Sequence, residues 1–242
     1  MTTRDRVQTR VFADHPIALL SLLAVAIGSA LCISCGERSP RDQALSKLRS
    51  WDPQLRFEAV KSLGSMPPDE RILDVLIRGV EDDDWQVRGA SIKALGGFGK
   101  DALHSVPALV VALDDDVPDV VVQVPLALAK MGPEPDALWG LCEALANSHA
   151  GVQAEAARAL GAFGPDAARS ADVVRSLVDT LVRSEDSEVV VAVIHALGEI
   201  RPHAAFVLDA LEGFLDDSRL EVRDAARNAM SAIQEDSVGA PP

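Results

Sequence analysis

The chain has 242 residues, of which 48% are hydrophobic and only 4% are aromatic, and its formal net charge is −14. This length is enough to bury a substantial core, and a composition rich in small aliphatic residues favours closely packed helices. The negative charge argues against nucleic acid as a partner, because phosphate groups would be repelled. Three cysteines are too few for a disulfide framework.

The N-terminal segment predicts a membrane anchor rather than a part of the folded body. An uncharged apolar run covers residues 16–35, and three arginines precede it, Arg4, Arg6 and Arg10. A basic flank of this kind keeps the N-terminal end in the cytoplasm. Residues 33–36 resemble the end of a bacterial lipoprotein signal peptide, which implies lipidation of Cys35 and cleavage just before it.

An uncleaved transmembrane helix is the alternative, because about 20 apolar residues span a bilayer. In both cases residues 1–35 are the signal peptide or anchor segment, and residues 36–41 form a short polar linker. Both alternatives place the remaining chain outside the cytoplasm, tethered to a membrane of the bacterial cell envelope by a lipid or by a transmembrane helix.

Six copies of one template follow the linker. Each copy starts at an apolar anchor residue, and small or apolar residues recur four, seven, eight and eleven positions later. These offsets lie on one stripe of a helix with 3.6 residues per turn and not on one face of a strand. The anchors, 32 to 37 residues apart, are Leu55, Val87, Val120, Val152, Val189 and Val222.

A second apolar helix follows each copy of the template. Gly99, Gly132 and Gly164 stand just past three of the first helices, where a left-handed cap favours glycine. Since one helix pair cannot bury its apolar face alone, the pairs must stack. The sequence therefore predicts an all-α fold in which residues 42–234 form a right-handed α-solenoid of stacked antiparallel helix pairs. Residues 235–242 are predicted to be a disordered tail.

The second copy carries the resemblance to a known family. Residues 87–99 read VRGASIKALGGFG, and an acidic turn follows at residues 114–116. This arrangement resembles the short HEAT repeats of phycobilisome lyases. The resemblance implies a stacking ladder in which the arginine after each anchor pairs with an aspartate of an inter-repeat turn. The matching residues are Arg56, Arg88, Arg223, Asp84 and Asp116, whereas Val121, Gln153 and Val190 interrupt the ladder.

The third copy predicts a surface for a partner protein. Its register turns Val121 and Leu126 outward, where other copies carry charged residues, and Pro125 between them should kink the helix. Val190 repeats the pattern in the fifth copy. Exposed apolar residues of this kind are typical of a contact surface. The alternative is a more deeply buried helix.

The remaining features indicate structure rather than chemistry. Trp51, Trp85 and Trp139 share no template position, which indicates local packing, and the acidic turns are expected to cap the helices after them. None of the five histidines is followed by glutamate, the pair through which one family of HEAT-repeat hydroxylases binds iron.

The function predicted from the sequence is that of a membrane-tethered scaffold that binds another protein, without catalysis, cofactor or metal. An auxiliary enzyme similar to the HEAT-containing bilin lyases is the alternative.

Overall fold

The structure is a computed structural model that describes residues 39–202 and 205–239. The predicted anchor segment and Cys35 lie outside these residues. No helix within the described ranges combines the length and the apolar character that crossing a membrane requires. The residues from Ala44 onward form one compact unit.

Thirteen α-helices and no strand make up the described ranges, and they alternate between two sets. The first helices begin near the template anchors: α2 (Pro53–Gly64), α4 (Trp85–Gly97), α6 (Pro118–Val121) with α7 (Gln123–Met131), α9 (Ala150–Ala162), α11 (Ser187–Ile200) and α13 (Leu220–Gly239). The second helices are α1 (Pro40–Lys47), α3 (Glu70–Gly79), α5 (Val106–Val111), α8 (Pro135–Leu145), α10 (Ala171–Arg183) and α12 (Ala205–Glu212). Short 3₁₀ helices cover Gly99–Ser105, Ala112–Asp114 and Gly164–Arg169.

Each first helix packs against the next first helix, and the second helices α5, α8, α10 and α12 pack in succession, so that the chain is an α-solenoid with a first-helix layer and a second-helix layer. The template predicted this arrangement. The leucines eight positions after the anchors are fully buried between the layers: Leu63, Leu95, Leu128, Leu160 and Leu197. The apolar pairs of the second helices are buried as well, for example Leu141 with Leu145.

Glycine allows the first helices to approach one another closely. A Cβ atom at Gly96 would lie 2.6 Å from the Cα of Ala127, and one at Gly161 would lie 2.9 Å from the Cα of Ala196. Real side chains do not tolerate such distances to a backbone atom, so only glycine fits at these crossings. The small residues of the template therefore set the spacing of the first-helix layer.

The predicted helix ends are confirmed. Gly99, Gly132 and Gly164 have φ angles of 58°, 86° and 55°, the left-handed region that glycine occupies without strain. Arg201 stands at the corresponding position of the fifth repeat and has φ of 51°, where an L side chain is strained.

Pro125 interrupts the first helix of the third repeat, as predicted. Helix α6 ends at Val121 and α7 begins at Gln123, since Pro125 has no N–H to donate to the carbonyl oxygen of Val121. At the C-terminus α13 continues to Gly239, so the helix enters the segment that was predicted to be a disordered tail. Ser231 Oγ donates to Glu235 Oε1 at 3.1 Å one helical turn further on and supports this extension. Residues 240–242 lie outside the described chain.

Candidate protein-binding surface

The turns before the first helices share one construction. A polar residue five positions before the anchor accepts a hydrogen bond from the backbone N–H two residues later, as Asp82 Oδ1 does from Asp84 N at 2.9 Å. Side chains of this kind stabilise a turn by accepting from their own backbone. The six residues are Ser50, Asp82, Asp115, Asn147, Ser184 and Asp217.

Two arginines join successive turns into a ladder. Arg56 donates from Nη2 and Nε to the Asp82 carboxylate at 2.7 and 2.8 Å, and from Nη1 to the carbonyl oxygen of Ser50 at 3.0 Å. Arg88 makes the same contacts one repeat later, to the carboxylate of Asp115 and to the carbonyl oxygen of Asp82 at 2.8 Å. A guanidinium with two parallel bonds to a carboxylate is a strong and directional pair, so each arginine fixes the position of one repeat on the next.

The aspartates of this ladder differ from the predicted ones. Asp84 instead caps α4, where it accepts the backbone N–H groups of Gln86 and Val87 at 3.0 and 3.3 Å. The Asp116 side chain is 90% exposed and reaches Arg88 only at 3.3 Å. Asp84 lies three positions before its anchor, at the N-terminus of its own helix, whereas the residue five positions before the anchor lies beside the preceding repeat. Asp116 lies four positions before its anchor and adds only a longer, exposed contact to the Arg88–Asp115 pair.

The ladder keeps its aspartates ionised. Burial would raise the pKa of Asp82 and of Asp115, but the hydrogen bonds from the arginines and from the turn backbone outweigh it, so that both pKa values are lowered. The same hydrogen bonds raise the pKa of the Arg56 and Arg88 guanidinium groups. Both members of each pair are therefore charged at neutral pH.

In the middle of the ladder both the arginine and the aspartate are absent. By register, Val121 stands where an arginine would meet Asn147, and Gln153 stands where one would meet Ser184. Asn147 Nδ2 donates to the carbonyl oxygen of Leu113 at 2.9 Å, and Gln153 Nε2 donates to that of Asn147 at 2.7 Å. Because arginine and aspartate disappear as a pair, no carboxylate is left half-buried without a cation.

The last repeats complete the ladder differently. Val190 again replaces the arginine, yet Asp217 is retained, and it is bound by Arg219 through Nε and Nη2 at 2.9 Å each. Arg223, which the resemblance placed in the ladder, donates to the carbonyl oxygens of Asp217 and Ser218 at 2.7 and 3.1 Å and closes its own turn.

The outward orientation predicted for Val121 and Val190 is wrong. Both side chains are fully buried, because they occupy the template position at which Arg56 and Arg88 lie between repeats. They cannot contact a partner in this structure. Leu126 is 41% exposed, as predicted, and by register it belongs to an outward row with Lys61, Lys93, Arg158 and His195.

A groove runs across the first-helix layer beside the first two members of this row. Its volume is about 670 Å³, and Phe57, Lys61, Trp85, Gly89, Lys93 and Gln123 are among the residues that line it. A Cβ atom at Gly89 would meet nothing within 4 Å. The groove therefore lies over a part of the α4 surface that has no side chain, and the indole of Trp85 lies at the start of that helix.

The tryptophans were predicted to pack locally, and the structure leaves them partly or almost fully exposed. Trp85 is 43% exposed and Trp139 is 47% exposed, and Trp51 is almost fully exposed. Sequence analysis missed Trp85 because it precedes its anchor by two residues and so lies outside the repeated stripe. Its position directly after the capping residue Asp84, at the first residue of a helix, was the available signal. No group of three or more His, Cys, Asp or Glu side chains in the described ranges could hold a metal ion.

Paired helices in two layers, joined by a ladder between turns, define an α-helical repeat protein. The family model for HEAT repeats matches residues 41–129 and 140–231, and the chain belongs to this family. No curated protein matches the sequence significantly.

Solved structures of repeat proteins are similar to this fold. An engineered protein from a structural genomics consortium is 23% identical, with a TM-score of 0.54 over 82% of this chain and 98% of the other. The HEAT-like repeats protein of the archaeon Thermococcus onnurineus is 19% identical, with a TM-score of 0.52 over 83% and 82%. A chain from the structural study of microtubule plus end tracking by XMAP215, CLIP-170 and EB1 is 18% identical, with a TM-score of 0.53 over 82% and 92%. At these identities the likeness is one of fold.

Proposed function

We propose that this chain is a membrane-tethered, non-catalytic scaffold that binds another protein through its first-helix layer. The exposed indole of Trp85 in the groove of that layer is the observation that carries the proposal. Tryptophan is enriched among the residues that dominate binding energy at protein interfaces. Membership of the HEAT family supports a binding role, since repeat proteins of this kind present extended surfaces to other proteins.

Crosslinking at two matched positions tests this role. A photoreactive aromatic amino acid, which keeps an aromatic ring in place of the indole, replaces Trp85 in one variant and Trp139 in the other, because both side chains are similarly exposed but lie in different layers. In intact membranes we expect position 85 to capture a specific protein that position 139 does not. Purified partner should then lose binding to the Trp85→Ala variant. Equal capture at both positions, or none at position 85, would refute the use of this surface.

The tether is proposed from the N-terminal sequence. The uncharged run at residues 16–35, the basic start before it and the lipoprotein-like residues 33–36 support lipidation of Cys35 and a location outside the cytoplasm, in the bacterial cell envelope. The Cys35→Ala variant should lose metabolic acyl labelling and accumulate at precursor size. Detection of residues 1–34 in the mature protein would favour an uncleaved transmembrane helix.

The enzymatic alternative has a direct assay. The full chain, mixed with a bilin and an apo-phycobiliprotein in a reconstituted reaction, should transfer no chromophore if it is a scaffold. Transfer would establish an auxiliary lyase-like enzyme instead.

A further inference from the structure

The groove of the first-helix layer crosses three consecutive repeats. Phe57 and Lys61 come from α2, Trp85 and Lys93 from α4, and Gln123 from α7. Its two aromatic side chains form the apolar part, and the open space above Gly89 leaves room for a side chain of a ligand between them and the lysines. A groove that crosses several helices in this way can accept a length of extended peptide.

The groove carries positive charge in a strongly acidic chain. Lys61 and Lys93 line it, and neither forms an ion pair with any residue that the structure describes, although Lys61 Nζ lies 5.4 Å from the centre of the Phe57 ring. Asp119 is the single carboxylate among its described lining residues. Elsewhere in the same outward row the cation is neutralised, since Arg158 contacts Glu155 and Glu188 at 2.6 Å each.

We infer that the groove binds an extended acidic segment of the partner protein, with an apolar side chain against Trp85 and carboxylates at Lys61 and Lys93. The inference rests on the proposed function and adds the chemistry of the partner. The lysines occupy the same register position on neighbouring helices, which pack about 8–10 Å apart. An extended chain of the polyproline II type advances about 3.1 Å per residue and returns to the same side every third residue, so the two carboxylates should be about three residues apart, with the apolar residue near or between them.

Selection from a peptide library tests the chemistry even while the partner is unidentified. The full chain in phosphatidylcholine nanodiscs is exposed to random displayed ten-residue peptides. We expect the selected peptides to contain two acidic residues about three apart and a nearby aromatic or aliphatic residue. Their binding should weaken with added salt, because the lysines are exposed and their attraction is screened. Selection of basic or uncharged peptides, or of none, would overturn the inference.

Two glycines on α4 provide a matched pair of variants. Gly89→Leu places a side chain in the groove, whereas Gly97→Leu places the same side chain eight residues away on the same helix. At both positions a Cβ atom meets nothing within 4 Å. The selected peptide should bind Gly89→Leu at least about tenfold more weakly, a loss typical of an important contact, and should bind Gly97→Leu unchanged. Equal binding to both would place the peptide elsewhere.

Charge reversal gives an independent measurement should Gly89→Leu not fold. The Lys61→Glu/Lys93→Glu variant should lose the acidic peptide, whereas Lys130→Glu, on the first-helix layer but outside the groove, should retain it. Retention by the double variant would refute the role of the lysines. If these tests fail while crosslinking at position 85 still identifies a partner, the scaffold role stands and the acidic chemistry is wrong.

Discussion

The carboxylate of Asp217 is bound by an arginine of its own turn, Arg219, rather than by one from the preceding repeat. While Nε and Nη2 of Arg219 bind Asp217, its Nη1 donates to the carbonyl oxygen of Glu185 in the preceding turn at 3.2 Å. Arg88 makes the same two kinds of contact from the template position that Val190 occupies in the fifth repeat. Arg219 therefore supplies, from the turn that follows, the guanidinium that α11 lacks because Val190 stands at the arginine position.

Replacement of Arg219 by glutamine should release the Asp217 carboxylate. The hydrogen bond from Arg219 is the main reason that the pKa of Asp217 is lowered to about 2, so this pKa should rise toward the ordinary aspartate value. Side-chain carboxyl chemical shifts, followed by NMR through an acid titration, measure it. Arg227→Gln is the control, because Arg227 pairs with the exposed Asp224 at 3.4 Å. A pKa still near 2 in the Arg219 variant would contradict the assignment.

The ladder should make stability depend on pH on the acid side. Asp82, Asp115 and Asp217 have lowered pKa values in the folded chain, so the unfolded state binds protons first as the pH falls. Their contribution is complete above the unfolded pKa of about 3.9 and is lost as the pH falls through the lowered pKa values of the folded chain, which for Asp217 is about 2. The Tm should change little from pH 7 to 5 and fall below pH 4. Asp115→Asn should lower the Tm at pH 7 and flatten its fall in acid, whereas an identical pH profile would refute the role of this pair.

The sequence predicted the features of the fold that recur at fixed positions from repeat to repeat and missed several that do not. The buried leucines and the glycine caps repeat at fixed positions, and one stripe of a helix determines where they lie. The sequence could not show which aspartate pairs with Arg56, because Asp82 and Asp84 stand in one acidic run and only the geometry of the turn distinguishes them. A helical register also cannot show that the next repeat covers Val121. Trp85 belongs to no repeated position, so its exposure became apparent only in three dimensions.

Truncation of a template leucine should be costly. Leu160 is fully buried between the layers, and Leu160→Ala should lower the free energy of unfolding by about 2–5 kcal/mol through the cavity it leaves. Leu126→Ala is the matched control at a 41% exposed position and should change it by about 0.5 kcal/mol or less. Urea titration followed by circular dichroism measures both. Similar effects in the two variants would show that the repeat register is wrong.

Substitution by alanine should push the neighbouring first helices apart at Gly96 but not at Gly97. Gly96→Ala brings a Cβ atom within 2.6 Å of the Ala127 backbone, and we expect a loss of about 1–3 kcal/mol from overpacking. Gly97→Ala meets nothing within 4 Å and should be neutral or raise stability by up to about 1 kcal/mol through helix propensity. Thermal unfolding of both variants distinguishes them. A stable Gly96→Ala protein would mean that the helices are not in close contact.

The strained cap of the fifth repeat can be relieved. Arg201 has a positive φ, as three glycines do at the same template position, and Arg201→Gly removes a cost of about 1 kcal/mol or more that an L residue bears in the left-handed conformation. We expect a higher Tm for this variant. Arg201→Ala keeps the Cβ atom and should not show the gain, so that equal increases in the two variants would point to the charge rather than to the backbone.

The ladder also bears on how such a chain can lengthen or shorten by recombination. Each intact contact joins an arginine in one repeat to an aspartate in the next, so a helix pair excised at its turns would carry Arg88 away from Asp115 and leave a lone charge at the junction. Val121 and Asn147 carry no charge, and a junction placed between them separates none of the ion pairs of the described residues. Insertion or deletion of whole repeats should therefore be tolerated best near the middle of the stack, where a new junction leaves no arginine or aspartate of the ladder without its ion-pair partner.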